Sequence, residues 1–252
     1  MENWEKAIEK FLSQYINEDY FLGAILTGSY ATGNNHADSD IDLFIITKDS
    51  TDWRERGNRL VDGYMIEYFI NPVRQVVYEL DTGFDYNNIA TTLMFAGSKI
   101  LCDTDEVVAG LVERAKTDLN NEIKPISEYS WNMNCYNVWH SFYELTAKYN
   151  KQQDIDFSYN IYLNNITRAH LQNNQIPLLP VHKIERILTD EKYVQRYNLK
   201  KLPEKEFSDK LLACFSAKEY GQKYICAKQL YQYYMMQNPD FDINNFSFRS
   251  KI

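Results

Sequence analysis

Asp40 and Asp42 stand two residues apart in LTGSYATGNNHADSDIDLFII (26–46), between a Gly-Ser turn and an apolar run. The stretch from Asp40 to Ile46 reads as a strand, and residues at i and i+2 of a strand project from one face. Two unit charges about 4 Å apart at an effective dielectric near 20 repel by roughly 4 kcal/mol, so the pairing calls for something positive. A third carboxylate, Glu67, lies in the next strand-like run, MIEYF. If those strands are neighbours, Glu67 comes into line with the aspartates. Three converging carboxylates with no sulfur or imidazole partner favour a hard cation, Mg²⁺ above all, with water and phosphate oxygens completing its shell.

Gly28 and Ser29 supply a second piece of chemistry. A glycine turn from a strand into a helix presents backbone N–H groups where phosphate can bind, and the Ser29 hydroxyl adds a donor. Ten residues separate Ser29 from Asp40, enough for a short helix and a return to the adjacent strand. A phosphate cradle beside two cations would suit in-line attack on phosphorus.

GSYATGNNHADSDIDL resembles the signature of nucleotidyltransferases with the DNA-polymerase-β type of fold: Gly-Ser, ten residues, Asp-x-Asp. Among them the chain is most similar to the kanamycin-type aminoglycoside nucleotidyltransferases. Its length, its helical second half, Glu67 in the following strand and the phrase GSKILCDTDEVVAGL (97–111) accord with that group. The specific match covers roughly residues 24–70. The resemblance implies Asp40, Asp42 and Glu67 as metal-binding catalytic acids holding two Mg²⁺ ions. It implies Gly28, Ser29 and Ser39 as contacts to ATP or another nucleoside triphosphate. It also implies a glutamate from the helical half as general base. Glu144 in WHSFYELTAKYN is the candidate, since partial burial among aromatic rings would make it a better proton acceptor. The plain alternative is a surface acid paired with Lys148 at i+4.

Many relatives carry an arginine just after Gly-Ser, whereas here the turn continues Tyr30-Ala31-Thr32-Gly33. Lys183, with Arg186, is the candidate partner for the triphosphate, against a reading as solvated helix charge. Asp38 fits a turn and His36 a solvent-facing loop. His140, His170 and His182 share no ligand spacing, and the Tyr-rich LYQYYMMQ fits bundle packing.

These residues need elements to hold them. Trp4–Ile16 has helical spacing, Phe21–Leu26 and Ile41–Thr47 read as strands, and Trp53–Leu60 reads as a helix. Tyr64–Ile70 is a third strand, ended by Asn71-Pro72. Val73–Leu80 and Asn87–Ala96 look helical, Lys99–Cys102 strand-like, and Asp105–Leu119 helical again. This is an α/β (α+β) domain, 1–121, with helices on one face of a small mixed sheet. An all-helical bundle, 122–252, follows as substrate-binding domain, with helices at 127–149, 157–172, 180–188, 204–215 and 217–237. Pro177 and Pro180 fit a turn and Pro203 a helix entry.

With 252 residues, 44% of them hydrophobic, the chain can bury a sizeable core. The four cysteines form no CxxC pair and read as reduced thiols of a cytoplasmic protein. The start, MENWEKAIEK, lacks the basic-then-apolar order expected of a secretory leader, and no apolar stretch approaches the length of a membrane span. The net charge of −8 is uneven: residues 1–120 carry 10 Lys and Arg against 21 Asp and Glu, the remainder 17 against 14. An acidic chain is a poor nucleic-acid binder, while an acidic cleft attracts metal ions or a cationic small molecule. The expected partners are a nucleoside triphosphate and a small acceptor such as an aminoglycoside antibiotic, with a homodimer left open. The expected reaction transfers AMP to an acceptor hydroxyl and releases pyrophosphate, which would make the protein an antibiotic-resistance enzyme. A protein or tRNA acceptor, or a non-catalytic protein on a degenerate fold, are the competing readings.

Overall fold

A computed structural model describes residues 3–178, 181–197, 199, 202 and 204–249. The chain divides into two compact units, residues 1–122 with 196–198 and residues 123–195 with 199–252.

The first unit is built on a five-stranded mixed sheet of order β3-β4-β2-β1-β5. β1 (Phe21–Thr27) pairs antiparallel with β2 (Ile41–Thr47) and with β5 (Lys99–Asp103). β2 runs parallel to β4 (Tyr64–Pro72), which pairs antiparallel with β3 (Glu55–Val61). Pro72 ends β4 and caps α3 (Val73–Gly83), where a missing N–H does no harm. α1 (Asn3–Leu12), α2 (Gly28–Thr32), α4 (Ala90–Ala96) and α5 (Val107–Asp118) complete the unit.

Two expectations are corrected here. Residues 55–61 form an edge strand, not part of a helix over 53–60. Asp62 (φ 49°) and Gly63 (φ 89°) make the two-residue turn that folds β3 back along β4, and an Asp-Gly pair accepts positive φ at both turn positions. The sheet is also covered on both faces, not one. Ile8, Phe11 and Leu12 of α1 and Tyr30 and Ala31 of α2 pack with Leu26, Ile41, Leu43, Ile45 and Tyr68 on one side. Val76, Leu80, Phe95, Leu111 and Val112 from α3, α4 and α5 pack with Ile25, Phe44 and Ile46 on the other. Runs as continuously apolar as FLGAIL and LFII are what a strand buried on both sides requires.

The second unit is helical: α6 (Glu128–Asn150), α7 (Asp156–Asn173), α8 (Ile184–Thr189), α9 (Glu191–Arg196), α10 (Lys205–Ser216) and α11 (Tyr220–Gln237), with 3₁₀ turns at Val181–Lys183 and Ile243–Asn245. The Ser127 hydroxyl caps α6 by accepting from the Ser130 N–H at 3.1 Å. Its core is aromatic, and buried tyrosine hydroxyls reach backbone acceptors: Tyr159 donates to the Cys214 carbonyl and Tyr162 to that of Ala227. The Tyr-rich tail is bundle packing as expected, with Tyr234 buried and Tyr231 stacked on Phe142 at 4.2 Å. Pro177 lies in the loop after α7, whereas Pro180 and Pro203 fall outside the described residues. All four cysteines are free, and burial pushes the Cys135 thiol up to about 11 and that of Cys214 to about 12. No described helix is long and apolar enough to cross a membrane.

Candidate metal centre

The sequence around Asp42 must turn one face of β2 from core to acid within a few residues. Ile41 and Leu43 are fully buried on the α1–α2 side, and Phe44 and Ile46 on the other. Asp42 shares a face with Phe44 and Ile46 but lies nearer the start of the strand and outside the apolar cluster those two side chains join. Asp40 immediately precedes the strand and is exposed; Asp42 and Glu67 are half-buried.

Register completes the convergence. In the parallel β2–β4 ladder Asp42 lies directly opposite Glu67, and in the antiparallel β1–β2 ladder it lies opposite Thr27. One carboxylate oxygen from each of Asp40, Asp42 and Glu67 lies within 4.8 Å of the others. The donor set is entirely oxygen, so it fits a hard divalent cation rather than zinc or copper.

Gly28 closes the floor of this cluster. It has φ +66°, and a Cβ built there would sit 1.9 Å from Asp42 Oδ2. Only a residue without a side chain lets the carboxylate approach the turn this closely. The first N–H groups of any helix lack intrahelical partners, and Thr27 gives α2 no side-chain cap. Ser29 is half-buried beside them. The start of α2 therefore lies beside the three carboxylates.

Arg56 is the feature that sequence reasoning missed. Its Nη2 donates to Glu67 Oε1 at 2.5 Å and its Nε to the same oxygen at 3.2 Å, while the guanidinium carbon lies 4.8 Å from the Phe69 ring centre. Read as a helix, residues 53–60 had no reason to meet Glu67. The Asp62-Gly63 turn was the available signal, because a hairpin there brings 55–61 alongside 64–70.

The remaining candidates are placed as follows. Ser39 braces the loop before Asp40: its hydroxyl accepts from the His36 N–H at 3.0 Å and lies 2.5 Å from His36 Nδ1. Asp38 sits in a turn and His36 is exposed. Glu144 lies on α6 and is exposed, so the expected partial burial among aromatic rings does not occur. Its ion pair with Lys148 is also absent from the ion pairs formed among the described residues. Tyr143 beside it turns outward to stack on Trp139, 57% exposed. Lys183 is exposed at the end of a 3₁₀ turn, and Arg186 is held locally by Asp190 and the Tyr193 ring.

Residues 6–83 match the family described as the nucleotidyltransferase domain. A solved structure of a nucleotidyltransferase-like protein from Exiguobacterium sibiricum 255-15 aligns with 94% of this chain and 76% of its own, at 12% identity and a TM-score of 0.45. No curated protein matches this chain. The matched segment contains Gly28, Ser29, Asp40, Asp42, Arg56 and Glu67, so the carboxylate cluster lies in the part of the chain that is similar to the nucleotidyltransferase domain.

Proposed function

We propose that the protein transfers a nucleoside monophosphate, AMP from ATP, onto a hydroxyl of a small acceptor and releases pyrophosphate. The observation that carries this reading is the placement of Asp40, Asp42 and Glu67 within 4.8 Å of one another, inside a segment that matches the nucleotidyltransferase domain. Those carboxylates would hold Mg²⁺, two ions where the nucleotide brings one. A bound divalent cation would neutralise the triphosphate and polarise the phosphorus under attack. Gly28 and Ser29 receive phosphate oxygens on backbone and hydroxyl donors, and Ser39 shapes the loop that delivers Asp40.

Residues 122–252 are the acceptor-binding domain in this reading. Glu144 is the general base that takes the acceptor proton, and its exposure leaves it accessible to a bound hydroxyl. Lys183 contributes a cation to the triphosphate. The excess of acid in residues 1–120 favours a cationic acceptor, an aminoglycoside being one that fits, and with it a role in antibiotic resistance.

The test is a screen of aminoglycosides and other hydroxylated amines with ATP, GTP, CTP and UTP plus Mg²⁺, read by pyrophosphate release. Pyrophosphate should appear with one acceptor and vanish in Asp42→Asn. Glu144→Gln should keep nucleotide affinity and lower turnover by about 10²–10⁴-fold, the usual contribution of a positioned base. Turnover that survives Asp42→Asn would remove the metal site from the chemistry, and wild-type turnover in Glu144→Gln would leave Glu144 a surface acid.

A further inference from the structure

The carboxylate cluster already has a cation, and it is a side chain. Arg56 reaches from the edge strand β3 with two donors on one oxygen of Glu67. That oxygen lies on the carboxylate whose ligand atom is grouped with those of Asp40 and Asp42. A divalent ion coordinated by Glu67 competes with the guanidinium for the same carboxylate. The side chain of Arg56 is 69% exposed against 20% for Glu67, so the carboxylate is fixed and the arginine is the partner free to move. An exposed pair of this kind is weak and exchanges readily.

Positive charge is short on the phosphate side of the cluster. The turn from Gly28 to Gly33 contains no basic residue, and backbone N–H groups alone do not balance a triphosphate. Arg59, three residues further along β3, belongs by strand parity to the opposite face, where its charge acts on Tyr68. A guanidinium offers five donors in a planar fork suited to phosphate oxygens, and Arg56 carries that fork to the edge of the cluster.

We propose that Arg56 is a phosphate-binding residue held in reserve: it pairs with Glu67 until a divalent cation takes that carboxylate, and then turns to the triphosphate of the incoming nucleotide. The inference rests on the metal-and-nucleotide reading above and adds a coupling to it. Because the cation releases Arg56, metal and triphosphate bind with positive cooperativity, and removing the arginine weakens that link.

Calorimetry with Mn²⁺ alone, and with α,β-methylene-ATP at saturating Mn²⁺, separates the outcomes. In Arg56→Ala, Mn²⁺ alone should bind at least as tightly as to the wild type, since its competitor is gone. The nucleotide analogue should bind about tenfold more weakly, the loss expected for a charged hydrogen-bonding group. Arg56→Lys, which keeps the charge without the fork, should fall between. Weaker Mn²⁺ binding in Arg56→Ala would make the arginine a structural support and overturn the proposal. Analogue affinity within twofold of the wild type would overturn it too, while leaving the metal site standing. A wild-type protein that binds no Mn²⁺ overturns the reading of the site itself.

Discussion

A Cβ at position 28 would sit 1.9 Å from Asp42 Oδ2, whereas at position 33 it would meet nothing within 4 Å. Both glycines hold positive φ, +66° and +67°, so alanine at either strains the backbone by a similar amount, about 1 kcal/mol or more. Gly33→Ala is therefore a control for strain alone. Gly28→Ala should lose at least as much stability in urea as Gly33→Ala, and only Gly28→Ala should lose Mn²⁺ affinity, by about tenfold or more as Asp42 is pushed out of line. Equal Mn²⁺ binding by both would mean that the close approach of Gly28 and Asp42 has no bearing on the metal. The aspartates and the glycine were legible in the sequence because residue type and spacing carry their chemistry. Arg56 was not: an arginine among polar residues has no distinguishing mark until its neighbour across the sheet is known.

At the scale of elements, β3 shows where periodicity fails. Its residues ERGNRLV are mostly exposed, so neither a period of 2 nor one of 3.6 stands out, and a helix fitted them as well as a strand. As an edge strand it needs charged side chains to discourage further pairing, which removes the apolar alternation that identifies most strands. Its pairing is decided by the turn. Gly63 stands in open space at φ +89°, so Gly63→Ala carries conformational strain and no steric clash. It should lower stability by about 1 kcal/mol, and Gly63→Asn by less, because asparagine tolerates left-handed backbone. Urea midpoints with unchanged slopes would report this. An alanine variant as stable as the wild type would show that the turn does not define the hairpin.

On the scale of the whole molecule, the helical unit carries an acid-sensitive group. His170 is 3% exposed and stacked on Phe207 with ring centres 3.5 Å apart. Its Nε2 is buried without a hydrogen bond, the Glu204 carboxylate being 3.9 Å away. Burial lowers its pKa to about 4 from the ordinary 6.5. Above 6.5 the ring is neutral in both folded and unfolded chains and has no effect on pH dependence. Between 6.5 and 4 the unfolded chain takes up a proton that the folded one refuses, so stability falls with falling pH, by roughly 3 kcal/mol across that window. His170→Phe keeps a ring against Phe207 and removes the titration, so unfolding midpoints from pH 7 to pH 4 should decline less than in the wild type. Parallel declines would assign the acid sensitivity to other groups.

The sequence by itself determined the order of the chemistry. Gly-Ser follows one strand, Asp-x-Asp opens the next and the glutamate lies in a later strand, an order that strand parity and chain length make legible. It also determined the helical character of the second half, since long stretches there carry no strand alternation and few Gly or Pro breakers. Tertiary structure alone decided that β2 and β4 run side by side in parallel, setting Asp42 opposite Glu67. It also decided that β3 brings Arg56 onto that glutamate, and that Glu144 faces outward from α6. Each of these depends on which surfaces meet. A residue's partner across a sheet is fixed by packing energies summed over the whole core, and no local pattern records that sum.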